Sequence, residues 1–236
     1  MIHSAPDSGN AAPVPDGAPG AFDGAWIGRA VIAALDEPVG RCPGFAALHE
    51  EEREHALGRS ARRAREFVAG RVALRAALLA AGWSGHTPLL PGEQGRPGLP
   101  PGWTGSITHK DGLALAVGRR LVGGRTLGID SEVVGDRERT AIARKVLTPS
   151  ELARWSRDAS WPALLESFST KESIYKALHP HVPRYIGFEE AERDPDGVIS
   201  MRLVGGEGAF RFASHLWWEG PEGPGRRLIT LVEASP

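Results

Sequence analysis

Two short stretches of this sequence carry acidic and basic residues at spacings suited to chemistry: GIDSE at 128–132 and FSTKESIYKAL at 168–178. Residues two apart in a strand point to the same face, so Asp130 and Glu132 would present two carboxylates side by side. Two like charges held close together are unfavourable unless a cation lies between them. Oxygen ligands suit a hard ion, and Mg²⁺ is the usual choice with a phosphate substrate. Solvated acids on an exposed strand edge are the alternative.

The second stretch holds two of the four lysines of an arginine-rich chain, Lys171 and Lys176, with Glu172 between them. Its pattern is helical, and residues four apart share a helix face, so Glu172 and Lys176 are neighbours. Lys171 lies on nearly the same side, one residue back. Lysine is a compact charge for phosphate oxygens, and Glu172 could complete a metal site or act as a general base. The alternative is a surface salt bridge worth about 0.5 kcal/mol.

Two further features could bind an anion. Gly105 and Ser106 of GSITH allow a ligand to approach the backbone closely, and His109 could donate to a phosphate, although a lone histidine is more often structural or solvated. The stretch from Arg53 to Arg75 holds seven arginines against two glutamates. This pattern indicates either anion binding or a solvated helix face. No stacking aromatics interleave with the arginines, which argues against an RNA-binding face.

The totals exclude several classes of protein. The chain has 236 residues, 41% of them hydrophobic, and a formal net charge of -1, so no overall field indicates a nucleic-acid or membrane partner. The single cysteine, Cys42, excludes an intramolecular disulfide and a multi-cysteine metal cluster. No apolar run is long enough to span a bilayer, and no secretory signal is recognisable. We therefore expect a cytoplasmic protein, with a disordered tail over the polar, Pro- and Gly-rich residues 1–25.

The predicted elements come in alternating groups of strands and of helices. The predicted strands are 25–35, 105–109, 113–118, 125–134, 198–204, 209–218 and 226–233. The predicted helices are 48–81 with a break near Gly58, 138–147, a short one after Thr148, and the one that carries 168–178. A long Pro- and Gly-rich loop is predicted over 82–105.

Two parts of the chain are faintly similar. A shift of 101 residues places Phe67 on Phe168, and a shift near 100 places Gly28 on Gly128. Chance between two alanine-rich helices is one explanation. The other is two similar α/β halves packed about a pseudo-twofold axis, with a ligand in the cleft between them.

In this order, these stretches resemble the 4'-phosphopantetheinyl transferases of the single-chain type found in surfactin and enterobactin synthesis. The resemblance is carried by RAREFVAGRVALRAAL, GSITHKDGLALAV, LGIDSE, FSTKESIYKAL and PRYIGFEEA, and it covers about residues 26 to 236. It implies an α+β fold with two similar α/β subdomains related by a pseudo-twofold axis. The subdomains would be 26–122 and 123–236, the second carrying the metal site.

The resemblance also implies an activity. A holo-[acyl-carrier-protein] synthase of this family would transfer the 4'-phosphopantetheine arm of coenzyme A to a serine of an apo acyl or peptidyl carrier protein. The reaction would need Mg²⁺ and release adenosine 3',5'-bisphosphate. Carriers of fatty-acid, polyketide or nonribosomal-peptide synthesis are the expected partners. We expect a monomer, because the second half would supply what a dimer partner otherwise provides, and no nucleic-acid or membrane partner.

Roles for the acids and lysines follow from the resemblance. Asp130, Glu132 and Glu172 would hold Mg²⁺ with the diphosphate. Glu172 would also be the base for the carrier serine, directly or through water. Lys176 would lie on the diphosphate and stabilise the leaving group, and Lys171 would assist at the same charge.

The resemblance further implies that the first half binds the nucleotide. Arg63 and Arg71 would contact phosphates, and His109 would contact the 3'-phosphate. Ser106 and Thr108 would shape the nucleotide pocket. Relatives often carry a lysine in the loop where this chain has Glu and Gln at positions 93 and 94.

Two other functions stay open. A Mg²⁺-dependent nuclease or phosphohydrolase also uses clustered acids and a lysine, but it does not account for GSITH or for two similar halves. A non-catalytic module that binds coenzyme A has no need of Asp130, Glu132 and Glu172 together. A gain of mass on a carrier protein would distinguish the transferase from both.

Overall fold

The computed structural model describes residues 9–15, 22–92, 95–135, 140–157 and 159–236. The described chain divides into two compact units. Asp23–Leu121 and residues 9–15 form the first, and Phe22 and Val122–Pro236 form the second. Each combines a long helix with an antiparallel sheet, which confirms the α+β class.

The first unit consists of a four-stranded antiparallel sheet and two helices. The strands are β1 (Asn10–Pro13), β2 (Trp26–Val31), β3 (Trp103–Lys110) and β4 (Leu113–Arg120), in the order β1-β2-β4-β3. The helices are α1 (Glu50–Leu57) and α2 (Ala61–Ala80), separated near Gly58 as predicted. Helix α2 packs on β2 and β4, where its small and aliphatic residues are buried. Strands β3 and β4 form a hairpin whose turn residues, Asp111 and Gly112, both have positive φ, as a tight two-residue turn requires.

Strand β1 corrects one prediction. Asn10–Pro13 pairs antiparallel with β2, from Asn10 opposite Arg29 to Pro13 opposite Trp26. The expectation of a disordered tail is wrong for these four residues, because the edge of β2 offers backbone groups that a polar segment without a helical or strand pattern can still pair with. Positions 1–8 and 16–21 of the predicted tail lie outside the described residues.

The second unit is built around helix α5 (Trp161–Leu178), which packs on β5 (Thr126–Val133) and β9 (Arg227–Ser235). Strand β8 (Arg211–Glu219) completes the sheet, in the order β5-β9-β8. Two short strands, β6 (Ala191–Arg193) and β7 (Ile199–Met201), form a separate hairpin. The remaining helices are α3 (Ala143–Val146) and α4 (Pro149–Trp155).

Local sequence explains where these helices begin. The Thr148 side chain caps α4 and Glu151 completes a capping box. The Ser160 hydroxyl accepts from the Ala163 N–H at the start of α5. The predicted helix 138–147 is shorter in the structure, with a 3-10 turn at Thr140–Ile142 before α3; positions 136–139 are outside the described part of the chain.

The two units share one topology. In each, a first strand leads to the long helix, and two further antiparallel strands follow. The last strand lies between the other two, so the orders β2-β4-β3 and β5-β9-β8 correspond. The faint internal similarity of the sequence therefore reflects two similarly built halves. No helix in the described residues is long and apolar enough to cross a membrane.

Candidate active site

Close packing of β5 against α5 brings the acidic residues together. A Cβ added to Gly128 would lie 2.0 Å from the carbonyl oxygen of Ser173, so the helix rests on the backbone of the strand at this point. Asp130 and Glu132 follow on the same strand and are buried. By strand alternation, both share with Gly128 the face that meets α5.

Asp130 is held by two side chains of α5. The Lys176 ammonium donates to Asp130 Oδ1 (2.7 Å) and to the Ile129 carbonyl oxygen (3.0 Å). The Ser169 hydroxyl donates to Asp130 Oδ2 (2.9 Å). Residues 169 and 176 are two helical turns apart and lie on one face of α5, so each binds a different oxygen of the carboxylate. The predicted proximity of Lys176 to the strand acids is thus present in the fold.

Glu172 lies on the same side of α5 and interacts electrostatically with both strand acids. Burial raises the pKa of its carboxyl, the charges of Asp130 and Glu132 raise it further, and Lys176 opposes them. Three carboxylates are thus electrostatically coupled, and the Lys176 ammonium opposes their repulsion. Such a group attracts a divalent cation or holds a proton.

The donor set fits Mg²⁺ in its chemistry. Among the described residues, no three His, Cys, Asp or Glu side chains lie close enough together to form a ready-made metal site. The three carboxylates nevertheless supply oxygen ligands only, and such ligands suit a hard divalent cation. Their coordination of the ion stays a prediction.

The Lys171 ammonium bonds to residues outside β5 and α5. Its ammonium donates to the Val146 carbonyl oxygen (2.8 Å), to Glu151 Oε2 (2.6 Å) and to the Phe188 carbonyl oxygen (2.9 Å). An ammonium has three donors, so these bonds use all of them. Lys171 therefore forms a buried ion pair, and it also lines the pocket that Glu172 borders. Its assistance at the diphosphate stays a prediction. Lys171 precedes Glu172 by one residue, so its side chain leaves the helix about 100° away from that of Glu172 and reaches a different environment.

A pocket of about 190 Å³ opens beside Glu172. Most of its lining is apolar or aromatic, and the contributing side chains include Ile174, Tyr175, Tyr185, Ile186, Phe188 and Ala191. The sequence analysis identified PRYIGFEEA only by resemblance and did not assign it to a pocket. The aromatic and aliphatic residues of this segment were the available signal, but only the fold shows that they face Glu172.

In the first unit, three basic side chains converge on Glu66. Arg62 Nε lies 2.9 Å from Glu66 Oε1, Arg63 Nη1 lies 3.0 Å from Oε2, and His109 Nε2 lies 3.8 Å from Oε2. Burial would raise the pKa of Glu66, but the Arg62 hydrogen bond and the charges of His109 and Arg63 lower it. The Arg63 side chain is 67% exposed. The predicted pair Arg63 and His109 thus forms an accessible basic cluster, with Arg62 as a third member.

Arg71 is not part of this cluster. It is buried, its Nε donates to the Leu89 carbonyl oxygen, and its guanidinium lies 4.5 Å from the centre of the Phe67 ring. Burial lowers the pKa of Arg71 to about 10, against the opposing charge of Glu52. A phosphate contact would need one of its other two nitrogens.

Ser106 and Thr108 are buried as well. They alternate along β3 with Ile107 and His109 and therefore face the opposite side of the sheet from the His109 ring. The fold of this unit does not bring them to the basic cluster, and their part in a nucleotide pocket stays a prediction. Positions 93 and 94 of the loop that departs from the relatives are outside the described residues.

Sequence comparisons with known proteins match both units. A sequence model of the 4'-phosphopantetheinyl transferase N-terminal domain matches residues 49–118, and that of the 4'-phosphopantetheinyl transferase superfamily matches residues 126–231. The first match falls within the first unit and the second match within the second unit.

Curated relatives cover most of the chain. It is 38% identical to the 4'-phosphopantetheinyl transferase Svp of Streptomyces mobaraensis over 185 residues, which is 75% of this chain and 71% of that protein. It is 33% identical to the 4'-phosphopantetheinyl transferase PptT of Mycobacterium tuberculosis over 194 residues, 80% of each chain. It is 32% identical to enterobactin synthase component D of Salmonella austin over 195 residues, 79% and 78% of the two chains. This chain therefore belongs to the 4'-phosphopantetheinyl transferase superfamily.

Proposed function

We propose that this protein transfers the 4'-phosphopantetheine arm of coenzyme A to a serine of an apo carrier protein, in a Mg²⁺-dependent reaction that releases adenosine 3',5'-bisphosphate. The observation that carries the proposal is the ion pair of Lys176 with Asp130, with Glu172 on the same side of α5, in a chain of this superfamily. This arrangement supports the proposed roles of a base, a pair of metal-binding acids and a cation for the phosphates.

Glu172 is the proposed base. The serine oxygen of the carrier forms a bond to the phosphorus that bears the pantetheine arm, and the bond from that phosphorus to the bridging oxygen breaks. The serine proton passes to the Glu172 carboxylate, directly or through a water molecule. A carboxyl whose pKa is raised accepts a proton more readily than an ordinary one.

Charge on the phosphates is balanced by the rest of the site. Mg²⁺, when bound, neutralises developing charge on the phosphoryl oxygens. Asp130, Glu132 and Glu172 would hold the ion. Lys176 is partly exposed, at 24% of its side chain, so its ammonium can shift from Asp130 to a phosphate oxygen and stabilise the leaving group.

Coenzyme A offers parts that match the other features. Its 3'-phosphate suits the cluster of Arg63, Arg62 and His109, since guanidinium groups bind phosphate strongly. Its uncharged arm suits the largely apolar pocket beside Glu172. Further parts of the proposal are a phosphate contact from Arg71 and the pseudo-twofold relation of the two units, which their common topology supports.

The expected partners are carrier proteins of fatty-acid, polyketide or nonribosomal-peptide synthesis. Similarity to enterobactin synthase component D favours siderophore synthesis among these. We also propose that the protein is a cytoplasmic monomer. The second unit repeats the topology of the first, as a dimer partner otherwise would, and this supports the monomer.

Intact-mass spectrometry of several apo carrier proteins tests the proposal. Each carrier is incubated with this protein, coenzyme A and Mg²⁺, with and without a chelator. A gain of one phosphopantetheine arm that the chelator prevents is the expected result. Cleavage of coenzyme A without any gain on a carrier would identify a phosphohydrolase instead. Binding of coenzyme A without turnover would identify a non-catalytic module.

A further inference from the structure

Three hydroxyl groups are buried behind Asp130, between α5 and β9. Ser169, Ser173 and Thr230 are 0%, 0% and 1% exposed. Thr230 is the residue directly opposite Asp130 in the β5–β9 ladder. An interface between a helix and a sheet is normally apolar, and a buried hydroxyl costs free energy unless it is hydrogen-bonded. Three buried hydroxyls in one place therefore have to bond to one another or to neighbouring polar groups.

The hydroxyls form a continuous chain that ends on the carboxylate. Ser173 Oγ lies 2.7 Å from Thr230 Oγ1, and Thr230 Oγ1 lies 2.9 Å from Ser169 Oγ. Ser169 Oγ lies 2.9 Å from Asp130 Oδ2. An ionised carboxylate only accepts, so Ser169 must donate its proton to Asp130. The Thr230 hydroxyl has one proton, which it can give to the Ser169 hydroxyl or to the Ser169 carbonyl oxygen (2.9 Å). The Ser173 hydroxyl can likewise donate to the Thr230 hydroxyl or to the Thr230 carbonyl oxygen (3.1 Å).

Ser169 is the fixed anchor of the Asp130 carboxylate. The other hydrogen-bond donor described above, Lys176, is partly exposed on a long side chain and belongs to the proposed phosphate contact. Ser169 has a short side chain, is fully buried and is held in turn by Thr230. Its bond leaves Asp130 with further lone pairs whose direction is set by the orientation of the carboxylate.

We propose that Ser169 is a positioning residue for the metal ligand Asp130, and that its hydroxyl, held in turn by Thr230, orients the Asp130 carboxylate for Mg²⁺. The proposal rests on the proposed function of Asp130. Groups that orient metal ligands typically change metal affinity by about 10- to 100-fold when they are removed. Ser169 also lies three residues before Glu172, on the helix face that meets the acids.

Ser169→Ala and Ser173→Ala make a matched pair for the test. Both remove one fully buried hydroxyl from α5 that contacts Thr230, but only Ser169 bonds to Asp130. Mn²⁺ is titrated into each protein with saturating coenzyme A and no carrier, and free Mn²⁺ is followed by electron paramagnetic resonance. This measures metal affinity without turnover. Thermal unfolding of both variants is recorded alongside.

We expect Ser169→Ala to weaken Mn²⁺ binding at least about 10-fold, and Ser173→Ala to change it less than about 2-fold, with similar losses of thermal stability. In transfer assays, Ser169→Ala should need correspondingly more Mg²⁺ and recover its rate at saturation. Equal effects of the two substitutions on metal affinity would overturn the proposal. If Ser169→Ala does not fold, Thr230→Val breaks the chain while keeping the shape, and unchanged Mn²⁺ affinity would overturn it equally. Wild-type protein that binds no Mn²⁺ would refute the metal site itself.

Discussion

Gly28 and Gly128 occupy the same position in their respective units, where the first strand touches the backbone of the long helix. A Cβ on Gly28 would lie 1.9 Å from the carbonyl oxygen of Ala73, and one on Gly128 would lie 2.0 Å from that of Ser173. In both units the contacted helix residue follows 45 positions after the glycine. Strand and helix therefore repeat with a common offset of 100 residues.

This offset corrects the alignment of the two helices. The sequence comparison placed Phe67 on Phe168, an offset of 101, because it matched residue types along the helices. The contacts with β2 and β5 show that the structural equivalent of Ala73 is Ser173. Aligning the two helices by residue type was therefore wrong by one position, and it did not show which residues face the sheet.

Alanine at either glycine should destabilise the protein. The added methyl group would collide with helix backbone, which cannot move aside as a side chain can, so we expect Gly28→Ala and Gly128→Ala each to cost at least about 1–3 kcal/mol. Gly40→Ala is the control, since nothing lies within 4 Å of a Cβ there. Urea unfolding measures all three. A Gly128→Ala protein as stable as the control would mean that α5 does not rest on the strand.

Glu172→Gln should abolish transfer and stabilise the fold at neutral pH. Loss of a general base lowers rates about 10²- to 10⁴-fold. The folded-state pKa of Glu172 is raised, so the folded protein becomes less stable as pH rises and this carboxyl ionises. The variant escapes that cost, and its higher melting temperature should persist at neutral pH and vanish in acid, below the ordinary carboxyl pKa.

Thermal unfolding and mass-based transfer assays across pH check this prediction. Glu222→Gln is the control, because the Glu222 side chain is 92% exposed. A Glu172→Gln protein with near-normal turnover would remove Glu172 from the role of base.

The two lysines of α5 should respond differently to replacement by methionine. Lys171→Met leaves Glu151 buried without its ammonium, and breaking a buried ion pair typically costs about 3–5 kcal/mol. Lys176→Met removes a partly exposed partner of Asp130, so stability should change much less while kcat falls. Denaturant unfolding and kcat, measured on both variants, separate the two effects. Unchanged stability with lost turnover in Lys171→Met would place Lys171 among the catalytic residues.

Glu190, which lies between the pocket-lining residues Phe188 and Ala191, should contribute less to the stability of the fold in acid. The Arg184 hydrogen bonds, with those from the Gly187 and Val204 N–H groups, outweigh burial and lower the pKa of Glu190 to about 2. A lowered carboxyl pKa contributes stability that is present above pH 4.5 and is lost as pH falls towards 2.

Glu190→Gln should therefore be less stable than wild type at neutral pH, and the difference should shrink in that acidic window. Denaturant unfolding at several pH values measures it. Its exposed neighbour provides the control, as Glu189→Gln. A stability difference that does not depend on pH would show that the charge of Glu190 contributes nothing.

Sequence alone was enough for the features that depend on local geometry. Asp130 and Glu132 share a strand face because they are two residues apart, and Glu172 and Lys176 share a helix face because they are four apart. Hydrophobic periodicity located the two long helices and most of the strands in the same way, but it missed β1 and β6. The weak repeat left two similar halves and chance as alternatives.

Only the tertiary structure showed which partners a side chain has when those partners are distant in sequence. The partners of Lys171 were not visible in local spacing, because Val146, Glu151 and Phe188, which supply an acceptor for each of its donors, lie 25, 20 and 17 residues away. Ser169 enters the site because Thr230, 61 residues further on, lies across the ladder from Asp130. Periodicity specifies the direction in which a side chain leaves its helix or strand, whereas its partners are set by which other elements the fold packs against that face.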